Sequence, residues 1–367
     1  MFFVPINIQI TSYLFYNMPF QPDLNIFKCP LTEENVDWAD ITILNQVNQN
    51  ASKPFEKGLV NQSKTLFYPV IREVLVLLPY YAIALQPNVK LAQMSFDKDR
   101  VFRYYNEISY KEYENNITYS DTGKWIDYRD VSKAYLENSF GRAKQYLNGS
   151  GKYYLDIASG SIGFKEYIDL SSEYEIRICV DISLEALLQA AKNLEGKKAI
   201  FVCGDITQIP IKSNICDAVL SQHTLYHIPK EEQATAVKEL YRVCKEGGKV
   251  GIVYNWFYYS PFMNLTLLPV QLYRVVRHIA GKWYVKFFPT KPRLYFFIYP
   301  PSWFKNFEFS DKIEIFCWRS TNKQFLDIYA HKSLGGAALL QKLQHLEDKY
   351  PKFFGWFGDY PIIVISK

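Results

Sequence analysis

The stretch Tyr153–Gly163, YYLDIASGSIG, is an apolar strand that runs into a turn of small residues. Two strands of similar make follow it. IRICVD ends in Asp181, and AIFVCGD ends in Asp205, so Asp156, Asp181 and Asp205 recur roughly every 25 residues. That period fits alternating strand and helix, and hence a parallel sheet with helices on both faces. In such open sheets ligands bind at the carboxyl ends of the strands.

Position suggests a role for each group. A tight turn after the first strand lets backbone approach a ligand, which requires small side chains; Ala158, Ser159, Gly160 and Ser161 meet that need. An acid ending the second strand can accept hydrogen bonds from a ribose diol, the place of Asp181. An acid after the third can accept from the adenine amine, the place of Asp205 behind Gly204. A dinucleotide would need G-x-G-x-x-G, and here Ala158 takes the first glycine position. S-adenosyl-L-methionine has no phosphate and needs only the small turn and the two acids.

The chain resembles the class I, seven-stranded S-adenosylmethionine-dependent methyltransferases at these residues. LDIASGSIG is similar to their first motif, VDIS to the second and CGDITQIP to the third. CDAVLSQHTLYHIP and ELYRVCKEGGKVGIVY are similar to the fourth strand with its following segment, and to the helix, turn and fifth strand. The resemblance is close over Lys152–Tyr254. It departs from the pattern at Ala158, where a glycine is usual, and at Gly163, shifted by one. It implies an α/β fold: a doubly wound, mostly parallel seven-stranded sheet whose last strand is antiparallel. It implies a cofactor site at Asp156, Ala158, Ser159, Gly160, Asp181, Ile182, Gly204, Asp205, Ile206 and Gln222, with no metal. His223, Tyr226 and His227, after strand four, border the methyl group in this family and are the candidate catalytic residues. Histidine titrates near neutral pH and can take a proton from an attacking hydroxyl; the alternative is a histidine that only binds backbone.

Upstream, FKCPL and YPVIREVLVLL resemble the small zinc-ribbon proteins that activate methyltransferases. A structural zinc needs about four Cys or His ligands, and this region holds Cys29 alone. The resemblance therefore implies a metal-free relic, a small α+β domain. The expected organisation is an extension over 1–22, that domain over 23–94, a tyrosine-rich helical cap over 95–150 and the methyltransferase domain over 151–367. Tyr104, Tyr105, Tyr110 and Tyr113 are candidates to line the cap. Helices are expected over Ser183–Leu194, capped by Ser183, and over Lys230–Lys245. KIEIFCWRS and YPIIVIS read as strands six and seven.

An aromatic-rich insert over 255–307 follows strand five. It has no Asp or Glu and seven basic residues, Arg274, Arg277, Lys282, Lys286, Lys291, Arg293 and Lys305. It reads either as a substrate lid facing a lipophilic molecule or a membrane surface, or as a packed insert. A net charge of +5 does not imply nucleic acid. Six cysteines without a C-x-x-C pair read as reduced buried thiols, and the expected location is cytoplasmic, with peripheral membrane contact through the insert. The first residues lack a basic n-region and a cleavage site, and Met18 is an alternative start. The function expected is methylation of a small aromatic or lipophilic molecule, with oxygen ahead of carbon and nitrogen. The alternatives are an RNA or protein methyltransferase, and a non-catalytic scaffold suggested by Ala158 and the relic domain.

Overall fold

A computed structural model describes residues 21–49, 51–147, 149–268 and 294–367. Residues 1–20 of the N-terminal extension and residues 269–293 of the insert, which carry six of its seven basic residues, therefore lie outside the described residues. The strands in chain order are β1 Val36–Trp38, β2 Lys57–Asn61, β3 Leu66–Ile71, β4 Val74–Val76, β5 Ile83–Ala84, β6 Tyr110–Tyr113, β7 Asn116–Tyr119, β8 Gly151–Ile157, β9 Tyr174–Asp181, β10 Ala199–Cys203, β11 Cys216–Gln222, β12 Cys244–Val253, β13 Ile313–Arg319 and β14 Tyr360–Ser366.

Residues 151–367 supply seven strands in the order β10-β9-β8-β11-β12-β14-β13. β8 to β12 run parallel, and β14 is antiparallel to both of its neighbours. β8 is an interior strand of this group, covered on both faces; Tyr154, Leu155 and Ile157 are fully buried. Its placement makes β8 and β11 neighbours, and the chain reverses its direction of travel between them. A crevice opens at that switch point in sheets of this type.

The sheet does not stop at seven strands. Leu75 and Val76 of β4 pair in parallel with Val202 and Cys203 of β10, and β3, β2 and β1 follow outward, giving twelve strands with β5 against β3. Residues 23–94 are thus hydrogen-bonded onto the edge of the larger sheet. The hairpin that makes this join turns at Arg72 and Glu73, both left-handed at φ 49° and 65°, the geometry of a tight two-residue hairpin turn. Cys29 lies buried with Sγ 3.2 Å from the Tyr68 hydroxyl. Among the described residues no three His, Cys, Asp or Glu side chains gather as metal ligands, and no helix is long and apolar enough to cross a membrane. All six cysteines are buried and unpaired.

Local signals explain the elements around the crevice. Ser183 caps the helix Leu184–Asn193 by accepting from the Ala186 N–H at 3.2 Å. The cap region holds the helix Phe96–Glu107, the β6–β7 hairpin and the helix Asp130–Gly141. Two side chains tie the hairpin and first helix down. Asn193 joins Ile117 of β7 to the small-residue turn, donating to the Ile117 and Ser161 carbonyls at 2.8 and 2.7 Å. Ser183 Oγ lies 3.1 Å from the Tyr105 carbonyl.

Candidate functional site

A cavity of about 780 Å³ opens over the carboxyl ends of β8, β9, β10 and β11. That lies within the roughly 300–1,000 Å³ of pockets that enclose small ligands. Asp156, Ala158, Ser159, Gly160, Asp181, Ile182, Gly204, Asp205, Ile206, Gln222, His223, Tyr226 and His227 all line it. Tyr104, Tyr105 and Tyr119 line it from the cap side. Tyr110 and Tyr113 do not: they face other partners on β6, Tyr110 against Tyr119 and Tyr113 against Tyr128.

The turn after β8 is conformationally demanding. Ala158, Gly160 and Ile162 are left-handed, at φ 56°, 58° and 53°. For a residue with a Cβ this costs roughly 1–2 kcal/mol. The turn is held by the Val180 carbonyl, which accepts from Ala158 N at 2.6 Å, and by Asp181, whose Oδ2 accepts from Gly160 N at 2.9 Å. A Cβ on Gly160 would sit 3.0 Å from the Tyr119 hydroxyl, so the glycine lets the cap tyrosine close onto the turn.

Asp181 also accepts from the Ser183 N–H at 2.8 Å on Oδ1. Each oxygen keeps a second acceptor position, which suits a vicinal diol. Burial pushes its carboxyl up to about 6, against the pull of the Ser183 and Gly160 N–H groups.

The other two acids are already engaged. Asp156 is ion-paired with Arg177 of β9, which also donates to the Tyr167 carbonyl at 2.8 Å. Asp205 accepts from Thr207 N and Oγ1 on one oxygen, at 2.8 and 2.7 Å. On the other it accepts from Lys98 Nζ at 2.7 Å and the Tyr80 hydroxyl at 3.1 Å. A carboxylate has about four acceptor positions, and these contacts fill them. The adenine-amine role expected for Asp205 is therefore not open to its side chain unless a partner leaves. Lys98 itself is buried and also pairs with Glu232 at 2.5 Å. Burial works against its charge, but Asp205 and Tyr80 outweigh it and hold the ammonium above the usual lysine range.

The candidate bases are not near-neutral groups. Burial lowers His223 to about 3 and His227 to about 4. His227 Nδ1 lies 2.8 Å from the Tyr295 carbonyl, so that nitrogen carries the proton and Nε2 holds the lone pair. His223, left-handed at φ 57°, packs edge-on against Trp318 and Tyr360, with ring centroids 4.6 and 5.3 Å away. Both rings are neutral at physiological pH, and a base that weak is poorly matched to neutral operation. Tyr226 packs against Tyr254 and Phe296, and burial pushes its phenol far above the ordinary value.

The far wall carries groups that motif reading did not reach. Trp318, Arg319, Asn322, Asp359 and Tyr360 line the cavity from the end of β13 and the start of β14, with Asn255 beyond β12. Asp359 is buried, and among the described residues neither of its oxygens closes a hydrogen bond. Burial pushes its carboxyl up to about 7, with Asn322, Arg319 and the Phe257 N–H pulling weakly the other way.

Residues 155–252 match the family model of the methyltransferase domain. The segment resembles a methyltransferase domain, and the match runs from the middle of β8 to the end of β12. A curated relative, the demethylmenaquinone methyltransferase of Roseiflexus castenholzii, is 28% identical over 96 residues, 26% of this chain. The chain spans 40% of that relative's length. A methyltransferase of Archaeoglobus fulgidus is 15% identical with a TM-score of 0.38, over 64% of this chain and 95% of that one. One of Clostridium acetobutylicum is 22% identical with a TM-score of 0.29, over 38% and 55%. The cavity could hold S-adenosyl-L-methionine: the turn after β8 is tight, Asp181 could accept from a diol, and a base plane could rest on apolar Ile182 and Ile206, all of which line it.

Proposed function

We propose that this chain transfers a methyl group from S-adenosyl-L-methionine to a hydroxyl oxygen of a small aromatic molecule. The observation that carries the reading is the cavity over β8–β11, which brings the small turn, Asp181 and the segment after β11 to one space beneath tyrosines of the cap. When bound, the cofactor supplies a sulfonium methyl and a thioether leaving group. The residues of the chain hold and desolvate. Gly160 and Asp181 fix the turn and receive the ribose hydroxyls. Tyr105 and Tyr119, with ring centroids 5.8 Å apart, shut water from that end. Positioning and water exclusion are the protein's main share of such a displacement.

Aromatic walls support the acceptor class. Phe257, Tyr258, Phe296, Trp318 and Tyr360 line the cavity opposite the cofactor end, and rings stack favourably on rings. The curated relative's name, a demethylmenaquinone methyltransferase, is in keeping with a ring acceptor. Contact of the insert with a membrane surface belongs to the same reading: Tyr258, which lines the cavity, and Leu265 and Leu268 are exposed, and the seven basic residues of 255–307 would favour an anionic lipid surface. Incubation with methyl-labelled cofactor and a panel of phenols, carboxylic acids and prenyl quinols tests the function. Label is expected in phenol or quinol oxygen. Bound cofactor with no transfer to any member would contradict the proposal and favour a non-catalytic scaffold.

A further inference from the structure

We infer that Asp359 is the proton acceptor of an acceptor-rich subsite for an aromatic hydroxyl group, formed where β11, β12, β13 and β14 meet. This rests on the proposed methyl-transfer function and names the residue that would receive the substrate.

The first observation is unmet polarity. Gln222 Oε1, Asn255 Oδ1, Trp318 Nε1 and both oxygens of Asp359 are screened from water and have no hydrogen-bond partner among the described residues. All four residues line the same cavity. Asp359 is 1% exposed and Asn255 6%. Leaving one such group unmet costs about 1–3 kcal/mol, more for a charged one, so a cluster at one wall calls for a ligand that satisfies it. Acceptors outnumber the single donor, Trp318 Nε1, so the complementary ligand donates hydrogen bonds.

The second observation is rigidity. The Asp359 N–H donates to the Ser320 carbonyl at 3.0 Å, and its carbonyl accepts from Trp256 N at 2.8 Å. Ser320 is locked in turn by buried Glu347, which accepts from Ser320 N and Oγ at 2.9 and 2.5 Å, from the Tyr135 hydroxyl at 2.6 Å and from Arg142 at 2.7 Å. The backbone that carries the carboxylate is thereby fixed. Asn322 and the Phe257 N–H face the carboxylate and favour its charged form, and Arg319 is turned onto the Tyr360 ring, 4.7 Å from its centroid, with Nε on the Thr321 carbonyl at 2.9 Å.

The third observation is what surrounds it. Trp318, Tyr360, Phe257 and Phe296 make the walls, and His223, which also lines the cavity, packs against Trp318 and Tyr360. An aromatic ring fits these walls with its hydroxyl toward Asp359. As the hydroxyl oxygen bonds to the methyl carbon, the carbon–sulfur bond breaks, its electron pair stays on sulfur, and the hydroxyl proton passes to the Asp359 carboxylate. The two histidines, held neutral and weakly basic by burial, are then walls of the subsite. Asp359 also has an ionisation in the range that general bases use.

The test is a binding measurement and needs no turnover. The full chain is saturated with S-adenosylhomocysteine, and calorimetry compares 2-naphthol with 2-methoxynaphthalene, which has the same rings and no donor. The wild type is expected to prefer 2-naphthol by about tenfold or more, the worth of one hydrogen bond to a charged acceptor. Asp359→Leu is expected to abolish that preference while holding S-adenosylhomocysteine as before. Asp359→Asn, which keeps the shape and an acceptor oxygen, is expected to retain part of it. Equal affinities in the wild type, a preference that survives in Asp359→Leu, or no binding of 2-naphthol would each overturn the inference. Failure to hold S-adenosylhomocysteine would instead overturn the proposed function on which it rests.

Discussion

Asp181→Ala is expected to weaken S-adenosyl-L-methionine binding by about 30- to 1,000-fold. The carboxylate keeps two acceptor positions for the ribose diol while its other two hold Gly160 N and Ser183 N. Hydrogen bonds to a charged group are worth roughly 1.5–3 kcal/mol each, and partial compensation by water brings the loss to about 2–4 kcal/mol. The substitution also frees two backbone N–H groups, so the turn loosens as the ligand contact is lost. A pH dependence accompanies it. Burial has raised this carboxyl to about 6 from an ordinary value near 3.8. A raised folded value means that the proton is favoured in the free protein and that stability is lost as pH rises from about 4 through 6. Binding moves the opposite way, because only the carboxylate accepts from both hydroxyls. Affinity should therefore rise by about tenfold from pH 5 to pH 7, and Asp181→Asn should flatten the profile. Calorimetry at the two pH values checks both; a wild-type affinity in the alanine variant would remove Asp181 from the site.

Lys98→Met should be strongly destabilising. Lys98 neutralises the fully buried Asp205, also bonds Glu232, and reaches Tyr80 and Thr207 at 3.3 and 3.0 Å. Removing one partner of a buried pair leaves the other charge uncompensated, at about 3–5 kcal/mol. The helix Phe96–Glu107 that carries Lys98 also carries Tyr104 and Tyr105 over the cavity, so cofactor affinity should fall with stability. Urea unfolding of the variant checks the first effect. Lys98→Met combined with Asp205→Asn should recover most of the loss, because no buried charge is then left alone. A destabilisation of the single variant below about 1 kcal/mol would contradict the account of this pair.

What could be read from the sequence was local and periodic. A strand ending in or followed by an acid repeats over β8, β9 and β10, and each part is a short-range feature: largely apolar runs give the strands, a small-residue turn follows β8, Ser183 caps its helix, and β13 and β14 are mostly apolar. Which residues line the crevice follows from strand order, so the residues after β8 to β11 were within reach. What the acids do there was not. Asp205 is saturated by a lysine 107 positions earlier in the chain, and no periodicity links the two. Asp359 lies in a short connection before the last strand, where an acid reads as an ordinary loop residue; only the fold buries it against β13. The same holds for the sheet's extension. β4 is an apolar run that reads as the end of a separate small domain, and its pairing with β10 depends on edge geometry that composition does not encode. The β6–β7 hairpin was missed because its turn uses Glu114 and Asn115 at φ 47° and 66°, and glutamate is not a residue that signals such a turn.

The account stands most directly on the cofactor. Purified protein titrated with S-adenosyl-L-methionine by calorimetry, with NAD as control, is predicted to bind the first at micromolar concentration and to ignore the second, since the turn at Ala158 has no pyrophosphate loop. Binding of neither, or of NAD alone, would contradict it.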